Sequence, residues 1–211
     1  MNAVKIHSKL NAKLEVQAVP GHFATSHSHN SFYIDITRIK HEHTMAREAA
    51  ITLAQHYAYE TAIDTIVCLD GSEVVGAFLA RHLAQKDRFA VNSDKNINVV
   101  SPEYDSNGQL LFRANLTEMV TGKSVLILIS TVNSGKTIRH ALKCMRYYGA
   151  QVKGIATMFS TVDQVDEIPV CSVFRPADIA GYVTSTPEEC PMCKQGQKID
   201  ALANSFGLSY L

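Results

Sequence analysis

Apolar residues recur along this chain in two rhythms, and their alternation predicts a mostly parallel sheet flanked by helices. From Glu42 to Tyr59, the residues Met45, Ala49, Ile51, Leu53 and Ala54 supply one face of a helix that no glycine or proline interrupts. Thr65-Ile-Val-Cys-Leu69 follows as a short unbroken apolar run, the pattern of a buried strand. Asp70 to Glu73 reads as a polar turn, and Val74 to Leu83 returns to helical spacing through Val75, Phe78, Leu79 and Leu83. Ile97 to Val100 suits another short strand, and Pro102 to Gly108 carries the residues of a mobile loop or hairpin. Val125-Leu-Ile-Leu-Ile129 is apolar without alternation, as a central strand covered on both faces should be. A helix from Lys136 to Tyr148 with Ile138, Ala141, Leu142 and Met145 on one face is stopped by Gly149, and Val152 to Phe159 is the next strand. Beyond it, Pro169, Pro176, Pro187 and Pro191 leave room for a strand at Val170 to Phe174 and for late helical turns, so the end of the sequence reads as a tail wrapped on the rest.

A length of 211 residues suits one domain with a substantial core and no need of disulfides or a structural metal. Lysine plus arginine number 20 and aspartate plus glutamate also 20, so no overall field attracts a polyanion; nucleic acid is excluded as the main partner, and a small ligand or a protein is expected. No apolar stretch approaches the roughly 20 residues that span a bilayer, and the first residues lack the pattern of a signal peptide. Together with five scattered cysteines, these features predict a cytoplasmic protein in a reducing compartment, without membrane partners.

The chemistry is expected where the central strand ends. In an open parallel sheet the ligand crevice lies beyond the carboxyl ends of the strands, and the loop Ser130-Thr-Val-Asn-Ser-Gly135 points there. Small residues let a ligand approach the backbone. The amides of residues 134 to 137 open a helix, whose N-terminus favours an anion, while Ser134, Lys136 and Thr137 add side-chain donors. Asn133 to Thr137 are therefore the candidate phosphate-binding residues, although Asn133, Ser134 and Thr137 would also serve as simple helix caps. Gly135-Lys136-Thr137 resembles the end of a nucleoside triphosphate loop, but Ser130 stands where that motif has its first glycine, and the next strand offers no immediate aspartate for magnesium.

Three segments together resemble the orotate phosphoribosyltransferases of the type I phosphoribosyltransferase family. They are Gly21-His-Phe23 with Ser31-Phe-Tyr-Ile-Asp35; Cys68-Leu-Asp-Gly-Ser-Glu-Val-Val-Gly-Ala-Phe-Leu-Ala80; and Val125 through Lys136-Thr137 to Tyr148-Gly-Ala-Gln-Val152. Cys190-Pro-Met-Cys193 is similar to a Cys-Pro-Leu-Cys element of some members. The resemblance implies a Rossmann-like α/β fold with small additions at both ends: residues 1–40 as a hood, 61–175 as the core sheet and 176–211 as the tail. It further implies a homodimer that uses magnesium and phosphoribosyl pyrophosphate to place ribose 5-phosphate on a pyrimidine or related base. The 5-phosphate would lie on residues 133–137, with Gly71, Ser72, Ser130 and Thr131 on the ribose or pyrophosphate side.

The sequence departs from the family at informative points. Ile129 and Ser130 stand where the family has two adjacent acids on the ribose hydroxyls, Ser26 replaces a lysine, and the loop Ser101 to Gly108 lacks the usual cations. Asp70 and Glu73, at the neighbouring strand end, are the candidates to take over ribose or magnesium contacts, against the plainer reading of a turn residue and a first-turn helix acid. These departures also admit a different function, a protein that binds a nucleotide or 5-phosphate ligand as a sensor or regulator without transfer. Among other groupings, His27, His29, His41 and His43 lack a cysteine or acid to complete a metal set, and Cys190 with Cys193 lacks a second pair within the chain, so no metal ligands are assigned; the two cysteines read as ordinary thiols, against the alternative of a half-site completed across a dimer. Met145, Tyr147 and Tyr148 read as core or dimer packing.

Overall fold

The computed structural model describes residues 2–211. In chain order the elements are β1 (Val4–His7), β2 (Glu15–Ala24), β3 (His29–Asp35), α1 (Thr37–His41), α2 (His43–Ala54), β4 (Thr65–Cys68), α3 (Glu73–Leu83) and β5 (Asn98–Val100). There follow β6 (Glu103–Tyr104), β7 (Leu110–Leu111), α4 (Ala114–Thr117), β8 (Ser124–Val132), α5 (Lys136–Tyr147), β9 (Gln151–Ser160), β10 (Gln164–Val165) and β11 (Ile168–Phe174). The remainder forms β12 (Thr184–Ser185), α6 (Pro191–Lys194), β13 (Ala201–Asn204) and β14 (Gly207–Tyr210).

The core sheet has the order β10-β11-β9-β8-β4-β5, parallel throughout except for the edge strand β10. β8 lies in its interior, and its side chains divide between two apolar layers. Leu126 and Leu128 face α2 and α3, whereas Val125, Ile127 and Ile129 face α5. The absence of alternation in β8 follows from this double cover. No helix among the described residues is long and apolar enough to cross a membrane.

The helices dock closely because small residues meet the sheet. On α3, a Cβ at Gly76 would lie 2.5 Å from the Cys68 sulfur and 3.2 Å from Val99. Gly76→Ala is expected to destabilise the protein by about 1–2 kcal/mol, the overpacking cost less the gain in helix propensity; the urea midpoint measures it. On α2 the buried stripe is Met45, Ala46, Ala49, Ala50, Leu53 and Ala54, while Ile51, expected on that face, is only half-buried. The helix also stops earlier than its apolar rhythm predicts. Tyr57 turns inward, donates its hydroxyl to the Ile155 carbonyl at 3.1 Å and fills the space above Gly154, where a Cβ would lie 2.8 Å from its ring.

The tail departs most from expectation. Instead of late helical turns alone it contributes three strands to a second sheet, ordered β12-β3-β2-β13-β14 with β1 also paired to β2. β13 runs parallel to β2, Ala201 opposite Phe23 and Leu202 opposite Ala24. Of the expected aromatic packing, Tyr148 accepts the Phe112 N–H at 3.0 Å, but Tyr147 is 84% exposed.

Candidate functional site

A cleft of about 970 Å³ opens between the two sheets at the carboxyl ends of β4 and β8. That volume lies at the upper end of small-ligand pockets and is large enough for a nucleotide.

Its floor is the loop from β8 into α5. The chain turns at Gly135, where φ is +72°, and a side chain there would strike Val165 at 2.8 Å. The Thr161 hydroxyl donates to the Asn133 carbonyl at 2.8 Å, and Arg139 donates to the Ser134 carbonyl at 3.1 Å, so the loop is braced from outside through its carbonyls. Its amides are left over. No protein acceptor among the described residues meets the N–H groups of residues 134 to 138, and no side chain caps the helix. The capping reading of Asn133, Ser134 and Thr137 is therefore replaced by an open nest of donors at the positive end of a 12-residue helix. Ser134, Lys136 and Thr137 are exposed, and all five candidate phosphate residues line the cleft.

One wall is the turn after β4. Asp70 (φ +56°) and Gly71 (φ +72°) reverse the chain, which is tied to β8 by the Ser72 hydroxyl donating to the Leu128 carbonyl at 3.1 Å and the Ser130 hydroxyl donating to the Asp70 carbonyl at 2.9 Å. Ser72 is thus turned inward behind the wall, and Ser130, although it borders the cleft, has its hydroxyl engaged with the backbone. Asp70, Gly71, Glu73 and Thr131 face the opening. Burial raises the Asp70 carboxyl above the usual range, and the Lys40 ammonium beside it opposes that rise. Glu73 accepts a 2.7 Å bond from the Ser101 hydroxyl. Ile129 is buried, at 1% exposure, with no polar atom to offer a sugar hydroxyl.

The opposite wall comes from the second sheet and α1, and it carries residues not singled out from sequence. Lys40 is buried, donates to the Ser205 carbonyl at 3.0 Å and lies 6.0 Å from the Phe206 ring centre. Its ammonium is pulled below the usual lysine range by burial, with Asp70 and Glu73 pulling the other way. Tyr33 and the 25–28 turn between β2 and β3 complete this side. Above, the hairpin of β6 and β7 brings Tyr104 close enough for Asp70 to raise its phenol, after the larger effect of burial. Arg113, just after that hairpin, is held by Glu103 at 2.6 Å. Nothing in the sequence pattern marks Lys40, because its position beside the buried Ile39 has the look of an ordinary amphipathic turn. The cleft thus joins an open nest of backbone donors to a buried lysine and two acids, an arrangement that favours an anionic ligand.

The family pattern of the phosphoribosyl transferase domain matches residues 35–179. An orotate phosphoribosyltransferase of Chlorobium phaeobacteroides is 23% identical over 188 residues, 86% of each chain. Another, from Sulfurimonas denitrificans, is 27% identical over 215 residues, covering 94% of this chain and 96% of its own. Among solved structures, a Mycobacterium tuberculosis orotate phosphoribosyltransferase in complex with Fe(III) dicitrate superposes with a TM-score of 0.53 at 18% identity, over 78% of this chain and 93% of that one. The adenine phosphoribosyl transferase of Trypanosoma brucei, in complex with AMP, pyrophosphate and ribose-5-phosphate, gives 0.54 at 11% identity, over 83% and 80%. The topology is that of the type I phosphoribosyltransferases, and with the family pattern spanning the donor loop at residues 133 to 137, the Asp70 turn and Lys40, this chain belongs to the phosphoribosyl transferase domain family.

Proposed function

We propose that the chain is a phosphoribosyltransferase of the orotate type, which transfers ribose 5-phosphate from phosphoribosyl pyrophosphate to a pyrimidine or related base. The observation that carries the reading is the set of unpartnered N–H groups around Gly135, opening into a nucleotide-sized cleft. The 5-phosphate sits on Asn133 to Thr137, and the pyrophosphate lies toward Gly71 and Lys40. As pyrophosphate leaves, positive charge develops on the ribose, and fixed anions beside the sugar stabilise that state. Asp70 and Glu73 are the acids available for this, in place of the pair that Ile129 and Ser130 lack. One or two carboxylates plus substrate phosphates is the usual protein share of a magnesium site, and the same two acids fit it; the ion would neutralise the departing pyrophosphate. A cytoplasmic homodimer belongs to this proposal.

Ile129 favours a second reading, a nucleotide-binding sensor or regulator without transfer, because its buried alkyl side chain stands where the reaction needs a carboxylate. Incubation with phosphoribosyl pyrophosphate, magnesium and orotate or other bases, followed by pyrophosphate release, separates the two. Turnover supports the enzyme; binding of a nucleoside monophosphate without turnover supports the sensor; absence of both sinks each. Asp70→Asn combined with Glu73→Gln is expected to lower turnover by about 100-fold or more while leaving 5-phosphate affinity in place. An unchanged rate would remove the acids from the mechanism.

A further inference from the structure

Away from the anion loop, four side chains that the sequence scatters over 172 positions converge at the junction of the second sheet and the tail. His22 on β2, His29 at the start of β3, Cys190 and Cys193 bring one ligand atom each to within 4.8 Å of one another. The geometry points to a structural zinc site of the Cys2His2 type, held by His22 Nε2, His29 Nδ1, Cys190 Sγ and Cys193 Sγ.

Four of the six edges between these atoms come within about 0.3 Å of those of a tetrahedron around an ion. With Zn–S near 2.3 Å and Zn–N near 2.05 Å, the edges come to about 3.5–3.6 Å between sulfur and nitrogen and about 3.3 Å between nitrogens. The distances here are 3.5 Å from Cys190 Sγ and 3.6 Å from Cys193 Sγ to His22 Nε2, 3.3 Å from Cys193 Sγ to His29 Nδ1, and 3.0 Å between the two ring nitrogens. Sulfur and imidazole in equal number are the donor set that selects zinc over hard, oxygen-seeking cations.

The surroundings orient the ligands. His22 is fully buried, and its Nδ1 lies 3.1 Å from the Gln197 carbonyl and 3.2 Å from the Lys198 carbonyl. Two carbonyl acceptors require the proton on Nδ1, which leaves the Nε2 lone pair aimed at the cluster. A ligating histidine whose other nitrogen donates to a backbone carbonyl is the usual outer-shell arrangement of zinc sites. Cys190 and His29 are likewise buried, at 0% and 7% exposure, and Cys190-Pro-Met-Cys193 has the two-residue spacing that lets one short turn present both sulfurs.

The proposed ion would do structural work for the cleft. His22 and His29 flank the 25–28 turn that borders it, and the cysteines precede the strand that delivers Ser205 and Phe206 to the Lys40 wall. Zinc would therefore clamp the tail to the β2–β3 hairpin without touching any ligand in the cleft.

Full-length protein, purified from zinc-supplemented medium without chelator, is expected to contain about one zinc per chain by elemental mass spectrometry. Replacement by cobalt(II) should add thiolate-to-cobalt charge-transfer bands and the visible bands of tetrahedral coordination. Cys193→Ser should weaken the charge-transfer bands, and Cys190→Ser with Cys193→Ser should abolish zinc binding. Chelation should lower the Tm of the wild type, a readout that needs no variant to fold. Folded wild-type protein with neither zinc nor cobalt bands, a Cys190–Cys193 disulfide in freshly purified protein, or retention of zinc by the double cysteine variant would each overturn the assignment.

Discussion

Gly135→Ala is expected to lose binding of ribose 5-phosphate by tenfold or more and to destabilise the protein by about 2–3 kcal/mol, two effects with one origin. At φ +72° an alanine enters the left-handed region, and its Cβ would stand 2.8 Å from Val165 on the edge strand β10. Val165 is buried, so the loop must give way, and any shift that relieves the contact re-aims the amides of residues 134 to 138. Gly149→Ala is the matched control. That glycine also has a positive φ, +65°, but a Cβ there meets nothing within 4 Å, so only the backbone cost remains and affinity should be unchanged. Calorimetric titration with ribose 5-phosphate and urea unfolding of both variants separate the two contributions. Equal affinity in Gly135→Ala and the wild type would mean that the anion binds elsewhere.

The second large effect is expected from Lys40→Met, which keeps the length and apolar stem of the side chain and removes its charge. Affinity for a pyrophosphate-bearing ligand should fall by about 10- to 100-fold, the equivalent of one charge-assisted hydrogen bond. Stability should fall by about 1–3 kcal/mol near neutral pH, because Asp70 is left buried without its neighbouring cation. The pH dependence carries the sign. Burial already raises the folded-state Asp70 above its ordinary value near 3.8, so its linkage stabilises the fold at low pH, and this contribution is lost as pH rises through the folded value. Without Lys40 that value moves further up. The deficit of the variant should therefore be largest at neutral pH and shrink once Asp70 is protonated in both states. A deficit that does not change with pH would separate Lys40 from Asp70.

The order of strands and helices in the core was legible because each element there is buried on a defined face. The run around Val125 to Ile129 announces a doubly covered strand, and Gly149, at φ +65°, ends α5 where the pattern places the stop. The open loop of backbone donors at residues 133 to 137 was legible for the same local reason, being a strand end, a glycine and a helix start in succession. The second sheet was not. β2 breaks its rhythm with Pro20, Gly21 and His22, β13 is only four residues long, and although β2 and β3 form a local hairpin, their outer neighbours β13 and β12 come from the far end of the sequence. Lys40 and the His22–His29–Cys190–Cys193 cluster were hidden by the same distance. The sequence sets His29 beside His27, whereas its partner across the hairpin is His22, and the two sulfurs arrive from the tail. Periodicity reports which way a residue faces but carries no information about what meets it from the far end of the chain.

That separation also bears on how the protein is made. The bonds between His22 and Asp200 join residues 178 positions apart, at the seam where β13 lies against β2. During translation the β2–β3 ribbon leaves the ribosome long before its neighbour exists, presenting a bare row of amides and carbonyls for the time needed to add those residues. A nascent chain of this protein thus passes through a stage in which the parallel core can form while the ligand cleft still lacks one side, and occlusion of that ribbon by a chaperone should improve its yield.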